Sequence, residues 1–322
     1  MTETLAGAHQ RQAGRQPEQQ FDVVALGEAL VEFNQTGTDT YTRGFGGDTS
    51  NCAIAARRQG ASVAYLSAIG ADAFGDDLLA LWQREGVDTS GVLRHDMATT
   101  GVYFVAHDES GHRFSYLRAG SAASRMRPDE LSVNVLHCAR YLHLSAISQA
   151  ISDSACDTCF VAIATARDHG TAIAYDTNLR KNLWALPRAR AVIVETLRQV
   201  DIALPGLDDA ALVFGLSEPQ VLLDQVLALG PKTVALSMGA DGVWLATPNQ
   251  REWLPAHNVA AIDATGAGDT FDGAFLARLA AGDDVLDAGR YANAAAALST
   301  TGYGAVAPIP IPTAVWALLN NE

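Results

Sequence analysis

The chain has 322 residues, 36 acidic against 22 basic, for a formal net charge of −14. This length suits one large α/β domain with a small appendage, and with Lys181 and Lys232 the only lysines there is no basic stripe to follow a nucleic-acid backbone. No stretch reaches the roughly 20 continuous apolar residues of a membrane span, and the N-terminus lacks the layout of a secretion signal, so no membrane partner and a cytoplasmic location are expected.

Residues 1–20, with five glutamines and no apolar period, read as a disordered tail, and structure is expected from Phe21 onward. Short apolar runs at residues 22–26, 63–67, 141–145, 171–176, 201–204 and 233–237 predict buried strands. Helical-period segments fall near residues 49–60, 75–85, 153–169, 188–199 and 218–229. Strand and helix alternate, which predicts a mainly parallel sheet with helices on both faces. Residues 31–44 and 100–118 break the alternation and read as polar–apolar strands, with a hairpin signal at Asp108-Glu-Ser-Gly111. They predict a small β lid, discontinuous in sequence, within one domain over residues 21–322. A second late helix near residues 284–301, a turn at Thr301-Gly-Tyr-Gly304 and a closing helix after Pro312 complete the chain. Of four cysteines, Cys156 and Cys159 form a single C-x-x-C in a helical segment and read as core thiols rather than a zinc or redox site.

One stretch carries chemistry. Asp263-Ala-Thr-Gly-Ala-Gly-Asp-Thr-Phe271 is a glycine-bracketed turn opening into a helix. Gly266 and Gly268 allow the backbone to bend tightly, so that the N–H groups of residues 266–269, with Gly266, Ala267 and Gly268 foremost, can converge on an anion at the helix start. Asp269 falls in the first helical turn, where the helix dipole favours an ionised carboxylate. An anion cradle beside a base suits phosphoryl transfer. Other polar residues follow predicted strands: Ser145, Asp176-Thr-Asn178-Leu-Arg180, Asp208 and Asp209. Ligands of open parallel sheets sit at such strand ends. There is no Walker A loop, no G-x-G-x-x-G, no G-x-S-x-G and no H-E-x-x-H.

The sequence resembles the ribokinase family of carbohydrate kinases over nearly all of residues 21–310. Gly46-Gly-Asp-Thr-Ser-Asn51, with the Ala-rich helix after it, and the Asp263–Phe271 motif with Gly273 carry the match. The resemblance implies a ribokinase-like fold, a β lid and ATP-dependent phosphorylation of a sugar hydroxyl, with Asp269 as base. It places Gly46, Gly47 and Asn51 at the sugar, and Asn178, Ser237, Gly239, Gly242 and Asn293 at the ATP pocket. Mg²⁺ is implied as cofactor with Asp209 near it, a monovalent cation is possible, and a homodimer joined through the lid is expected. Within the family, Phe45–Asn51, Tyr116-Leu-Arg118 and Asp176–Arg180 with Leu183-Trp184 resemble the 2-keto-3-deoxygluconate kinases. That resemblance assigns Tyr103, Tyr116, Arg118 and Arg180 to a sugar acid, whose carboxylate suits guanidinium groups. A fructokinase-like activity is the alternative, and a non-catalytic sugar-binding regulator comes after it. Two departures from relatives stand out: Gly206-Leu-Asp-Asp209 where many have Asn-x-x-Glu, and Ser237 where sugar-acid kinases often have a basic residue.

Overall fold

The computed structural model describes residues 19–108 and 111–321; residues 1–18, nearly all of the expected tail, and Glu109 and Ser110 of the expected hairpin turn lie outside the described residues. In chain order, β1 (Phe21–Leu26) leads into β2 (Leu30–Gly37) and β3 (Thr40–Gly46), followed by α1 (Asp48–Arg58), β4 (Val63–Gly70), α2 (Ala73–Glu85) and β5 (Val92–His95). Next come β6 (Val102–Asp108), β7 (Gly111–Leu117), α3 (Val133–His137), β8 (Ala139–Ser145), α4 (Ala146–Ala150), α5 (Asp153–Asp168) and β9 (Ala172–Asp176). The remainder runs α6 (Leu186–Leu197), β10 (Ile202–Leu204), α7 (Leu207–Phe214), α8 (Pro219–Leu227), β11 (Thr233–Ser237), β12 (Val243–Ala246) and β13 (Arg251–Leu254), then α9 (Ala267–Ala281), α10 (Val285–Ser299) and α11 (Pro312–Leu319).

Nine strands form the large sheet in the order β13-β12-β11-β10-β9-β8-β1-β4-β5, and all neighbours are parallel except the β11–β12 and β12–β13 pairs. Every residue of β1 and β4 is buried, as strands covered on both faces must be. Alternate residues serve opposite cores: Val23 and Ala25 join a cluster with α1, α9 and α10, whereas Val24 and Leu26 join one with α5, α6 and α8. The antiparallel β12–β13 edge was not foreseen. These two strands are four residues each, and the turn into β12 needs Gly242 at φ 93°, so the stretch carries turn signals rather than a strand pattern.

A second sheet, β3-β2-β6-β7, is the lid, and its strands come from the two separate stretches expected. Its central β2–β6 pair is parallel, with Val31 opposite Val102, and both outer pairs are antiparallel. Phe33 of β2 meets Phe74 of α2 edge-on at 5.8 Å, and Arg43 of β3 pairs with Asp77, so the lid is anchored on α2. No described helix is long and apolar enough to cross a membrane.

The packing of α9 on α1 fixes where the central motif points. A Cβ on Gly273 would lie 2.3 Å from the Cys52 carbonyl oxygen of α1, a backbone atom that cannot step aside. Gly273→Ala should therefore force the helices apart and lower the unfolding free energy by about 1–3 kcal/mol, measured by urea denaturation. An unchanged midpoint and slope would show that the contact relaxes freely.

Candidate active site

α9 begins where the sequence motif said it would. Gly266 caps it in the left-handed region at φ 78°, and a Cβ there would meet Ala305 at 2.9 Å, so both conformation and space demand glycine. Asp263 braces the turn by accepting from the Thr265 backbone N–H at 2.9 Å and the Gly304 N–H at 2.9 Å. The Ala267 N–H turns back to the Ala264 carbonyl at 3.2 Å. Among the described residues the Gly268 and Asp269 N–H groups take no main-chain acceptor, and nothing stands within 4 Å of a Cβ built on Gly268. Within the 266–269 stretch that the sequence points to, Gly268 and Asp269 are thus the residues whose N–H groups are open to an anion.

Asp269 is half-buried and closely walled by protein. Asn51 Nδ2 of α1 donates to its Oδ2 at 2.8 Å, which joins the two sequence signatures. Burial pushes the Asp269 carboxyl up to about 7, the nearby Asp48 charge adds to this, and the Asn51 hydrogen bond and the Arg180 charge oppose it. Asp48 opens α1, is buried, accepts from the Thr49 N–H at 2.8 Å and receives Asn178 Nδ2 at 3.4 Å. Two further carboxyls belong to this acidic cluster. Burial, then the charges of Asp272 and Asp48, hold the Asp176 carboxyl well above the usual range. Asp272, one turn after Asp269, is raised by burial and the charges of Asp269 and Asp48 and lies 3.4 Å from Nε2 of buried His143, whose imidazole burial lowers to about 4. At neutral pH the imidazole is therefore neutral, beside a carboxyl whose burial favours its protonated form.

The expected nucleotide-side residues are mostly structural in what they touch. Ser237 ends β11, and its N–H donates to the Pro205 carbonyl at 2.9 Å. Gly239 is at φ 57° with open space around it, but a Cβ on Gly242 would lie 2.0 Å from the Leu254 carbonyl oxygen, so Gly242 closes the turn. Asn293 Nδ2 holds the Pro255 carbonyl at 2.8 Å, anchoring the chain as it leaves β13. Asp209 accepts from the Leu179 N–H at 2.9 Å and stands 3.9 Å from Arg180. Among the described residues no three His, Cys, Asp or Glu side chains are placed to hold a metal.

On the lid side, Tyr103 donates its hydroxyl to buried Glu32 and stacks on Tyr116 with centroids 5.6 Å apart. A Cβ on Gly46 would reach within 2.5 Å of the Tyr103 hydroxyl, so Gly46 makes room for that ring, while Gly47 caps α1 at φ 111°. Burial and Glu32 raise the Tyr103 phenol, with a further push from the charge of Asp269. Arg180 is half-exposed, and among the described residues the Leu179 carbonyl at 3.1 Å and Asp209 at 3.9 Å attend it. Arg118 is different: its Nε donates to Glu28 Oε2 at 2.7 Å in a nearly buried ion pair.

Sequence reasoning missed Glu28, Glu32, Asp48, His143 and Asp272 as members of this cluster. Asp48 stood inside the quoted Gly46–Asn51 signature and could have been found; a lone Glu after a strand or an Asp within a helix carries no signal of burial.

A family model for pfkB family carbohydrate kinases matches residues 20–312. The chain is similar to the 2-dehydro-3-deoxygluconokinase of Thermoproteus tenax, 32% identical over 319 residues that cover 95% of this chain and 97% of that protein. It is similar also to the probable fructokinase-3 of Arabidopsis thaliana, 30% identical over 320 residues, with 93% and 92% covered. The crystal structure of a putative Ribokinase II from E. coli in complex with ATP and Mg²⁺ matches with a TM-score of 0.87 at 25% identity, covering 93% of this chain and 99% of that one. Matched over nearly its whole length in sequence and in fold, the chain belongs to the pfkB family of carbohydrate kinases.

Proposed function

We propose that this kinase phosphorylates a sugar acid, 2-keto-3-deoxygluconate (2-dehydro-3-deoxygluconate), to its 6-phosphate with ATP. The observation that carries the chemistry is Asp269, held by Asn51 at the start of α9 beside the free Gly268 and Asp269 N–H groups. Asp269 takes the proton of the acceptor hydroxyl as its oxygen bonds to the γ-phosphorus, and the bond from that phosphorus to the β,γ-bridging oxygen breaks to release ADP. The two N–H groups stabilise charge on the transferred group, and the lid shuts out water that would compete as acceptor. Bound Mg²⁺ supplies further charge neutralisation on the phosphates. Arg180, half-exposed and without a close partner carboxylate, is the cation best able to take the sugar's carboxylate. The names of the Thermoproteus relative and others like it support the substrate.

A second reading is a fructokinase-like kinase of a neutral sugar. Glu28 already neutralises Arg118, and fructokinases stand among the relatives. In either case we read the lid as a dimer contact, because Tyr41, Phe114, Tyr116 and Leu117 leave apolar surface on a four-stranded sheet. Sedimentation should give a dimer at micromolar concentration; a monomer there removes this reading.

Because the Asp269 carboxyl lies near 7 and must be ionised to accept a proton, kcat/KM should fall about tenfold per pH unit below that value. The Asn51 hydrogen bond favours the ionised form, so Asn51→Ala should move this acid limb to higher pH. Asp269→Asn should cost at least ~100-fold in kcat with little change in KM for ATP. Near-normal turnover of that variant would remove Asp269 from the mechanism. Arg180→Leu should lower kcat/KM for the sugar acid roughly 10- to 150-fold and for fructose much less. A wild-type preference for fructose, or equal losses on both sugars, would favour the neutral-sugar reading.

A further inference from the structure

The chain passes four times between the large sheet and the lid, and the four crossings meet at one buried residue. Glu28 lies in residues 27–29, where β1 hands the chain to β2, and is 2% exposed. Gly47 joins β3 to α1, and a Cβ there would lie 2.4 Å from the Glu28 carbonyl oxygen. Gly101 precedes β6, and a Cβ there would lie 2.8 Å from Glu28 Oε1. Just beyond β7, Arg118 Nε and Nη2 hold Oε2 while the Ser121 hydroxyl donates to Oε1. A carboxylate this deep is tolerated only with partners of that kind. Glu28 occupies two of the five guanidinium donors of Arg118 and leaves three for another acceptor.

We propose that Glu28 is a positioning residue for the sugar site: it grips one edge of Arg118 at the lid crossings, so that the other edge meets the sugar and the lid keeps one register over Asp269. This rests on Arg118 as a second sugar-site residue beside Arg180, the role that the resemblance of Tyr116-Leu-Arg118 implies, with its free edge meeting a sugar oxygen of either substrate. Neither glycine at the crossings leaves space for a side chain that could substitute for the pin, so the grip depends on the carboxylate itself. Glu28 and Arg118 then act as one unit, and losses from removing either do not add.

The test is a double-mutant cycle on kcat/KM for the sugar, with melting temperature and KM for ATP recorded for each protein. Glu28→Gln and Arg118→Leu should each lose roughly 10- to 150-fold, as for a broken charge-assisted hydrogen bond. The double variant should be within about threefold of Arg118→Leu, and Glu28→Asp should recover part of the loss. Losses that multiply in the double variant, or unaltered sugar kinetics in Glu28→Gln, would overturn the proposal. If Glu28→Gln does not fold, Ser121→Ala decides the question, because it removes a single hydroxyl from the carboxylate. It should raise KM for the sugar several-fold and leave KM for ATP alone, and an unchanged sugar KM would count against the positioning role. The cycle is run on 2-keto-3-deoxygluconate and on fructose. A wild type active only on fructose refutes the sugar-acid reading, while the coupling is still read on fructose.

Discussion

Two helices start at the same place, and the catalytic geometry depends on how closely they pack. α1 opens at Asp48 and α9 at Ala267, and the Cys52 carbonyl against Gly273 sets their separation. That separation places the Asn51 amide 2.8 Å from the Asp269 carboxylate. A larger residue at the contact would move the base and the donors around it together. Because each helix directs its N-terminus at the site, their dipoles favour the negative charges of Asp48 and Asp269 in the first turns.

The acidic groups crowd together: burial raises the carboxyls of Asp176, Asp269 and Asp272, and each is raised further by its acidic neighbours, Asp48 among them. Four fully ionised carboxylates in one cluster would repel any phosphate. The upward shifts mean that such a cluster takes up protons more readily than separate carboxylates would, which eases the approach of a ligand carrying several negative charges. His143 adds no charge to the cluster at neutral pH, since burial lowers its imidazole to about 4.

Much of the architecture was legible in the sequence because parallel strands buried on both faces leave unbroken apolar runs, as in residues 22–26 and 63–67. The β12–β13 edge was not, since the apolar run of β12 is four residues long and follows directly on the turn at Gly242, and β13 mixes charged with apolar residues. The start of α9 was legible because Gly266 needs both a left-handed backbone and empty space, which only one residue type supplies. Arg118 could be named from its motif, but not its commitment to Glu28, which joins residues 90 apart. Sequence spacing likewise gave no hint that Asn293 holds the Pro255 carbonyl or that Gly242 packs against the Leu254 carbonyl.

The parallel β2–β6 pair has a consequence for how the chain reaches this structure. Val31 lies beside Val102, and the loop that this pair closes holds β3, α1, β4, α2 and β5. The lid is therefore built from contacts far apart in sequence, whose loop-closure entropy must be offset by the packing of what lies between. In the large sheet the β1–β8 pair, with Val23 beside Tyr141, closes a longer loop still, so both sheets belong to the slow, non-local class of pairings. A chain that must wait for such partners exposes unpaired strand edges while it folds, β1 and β2 among them.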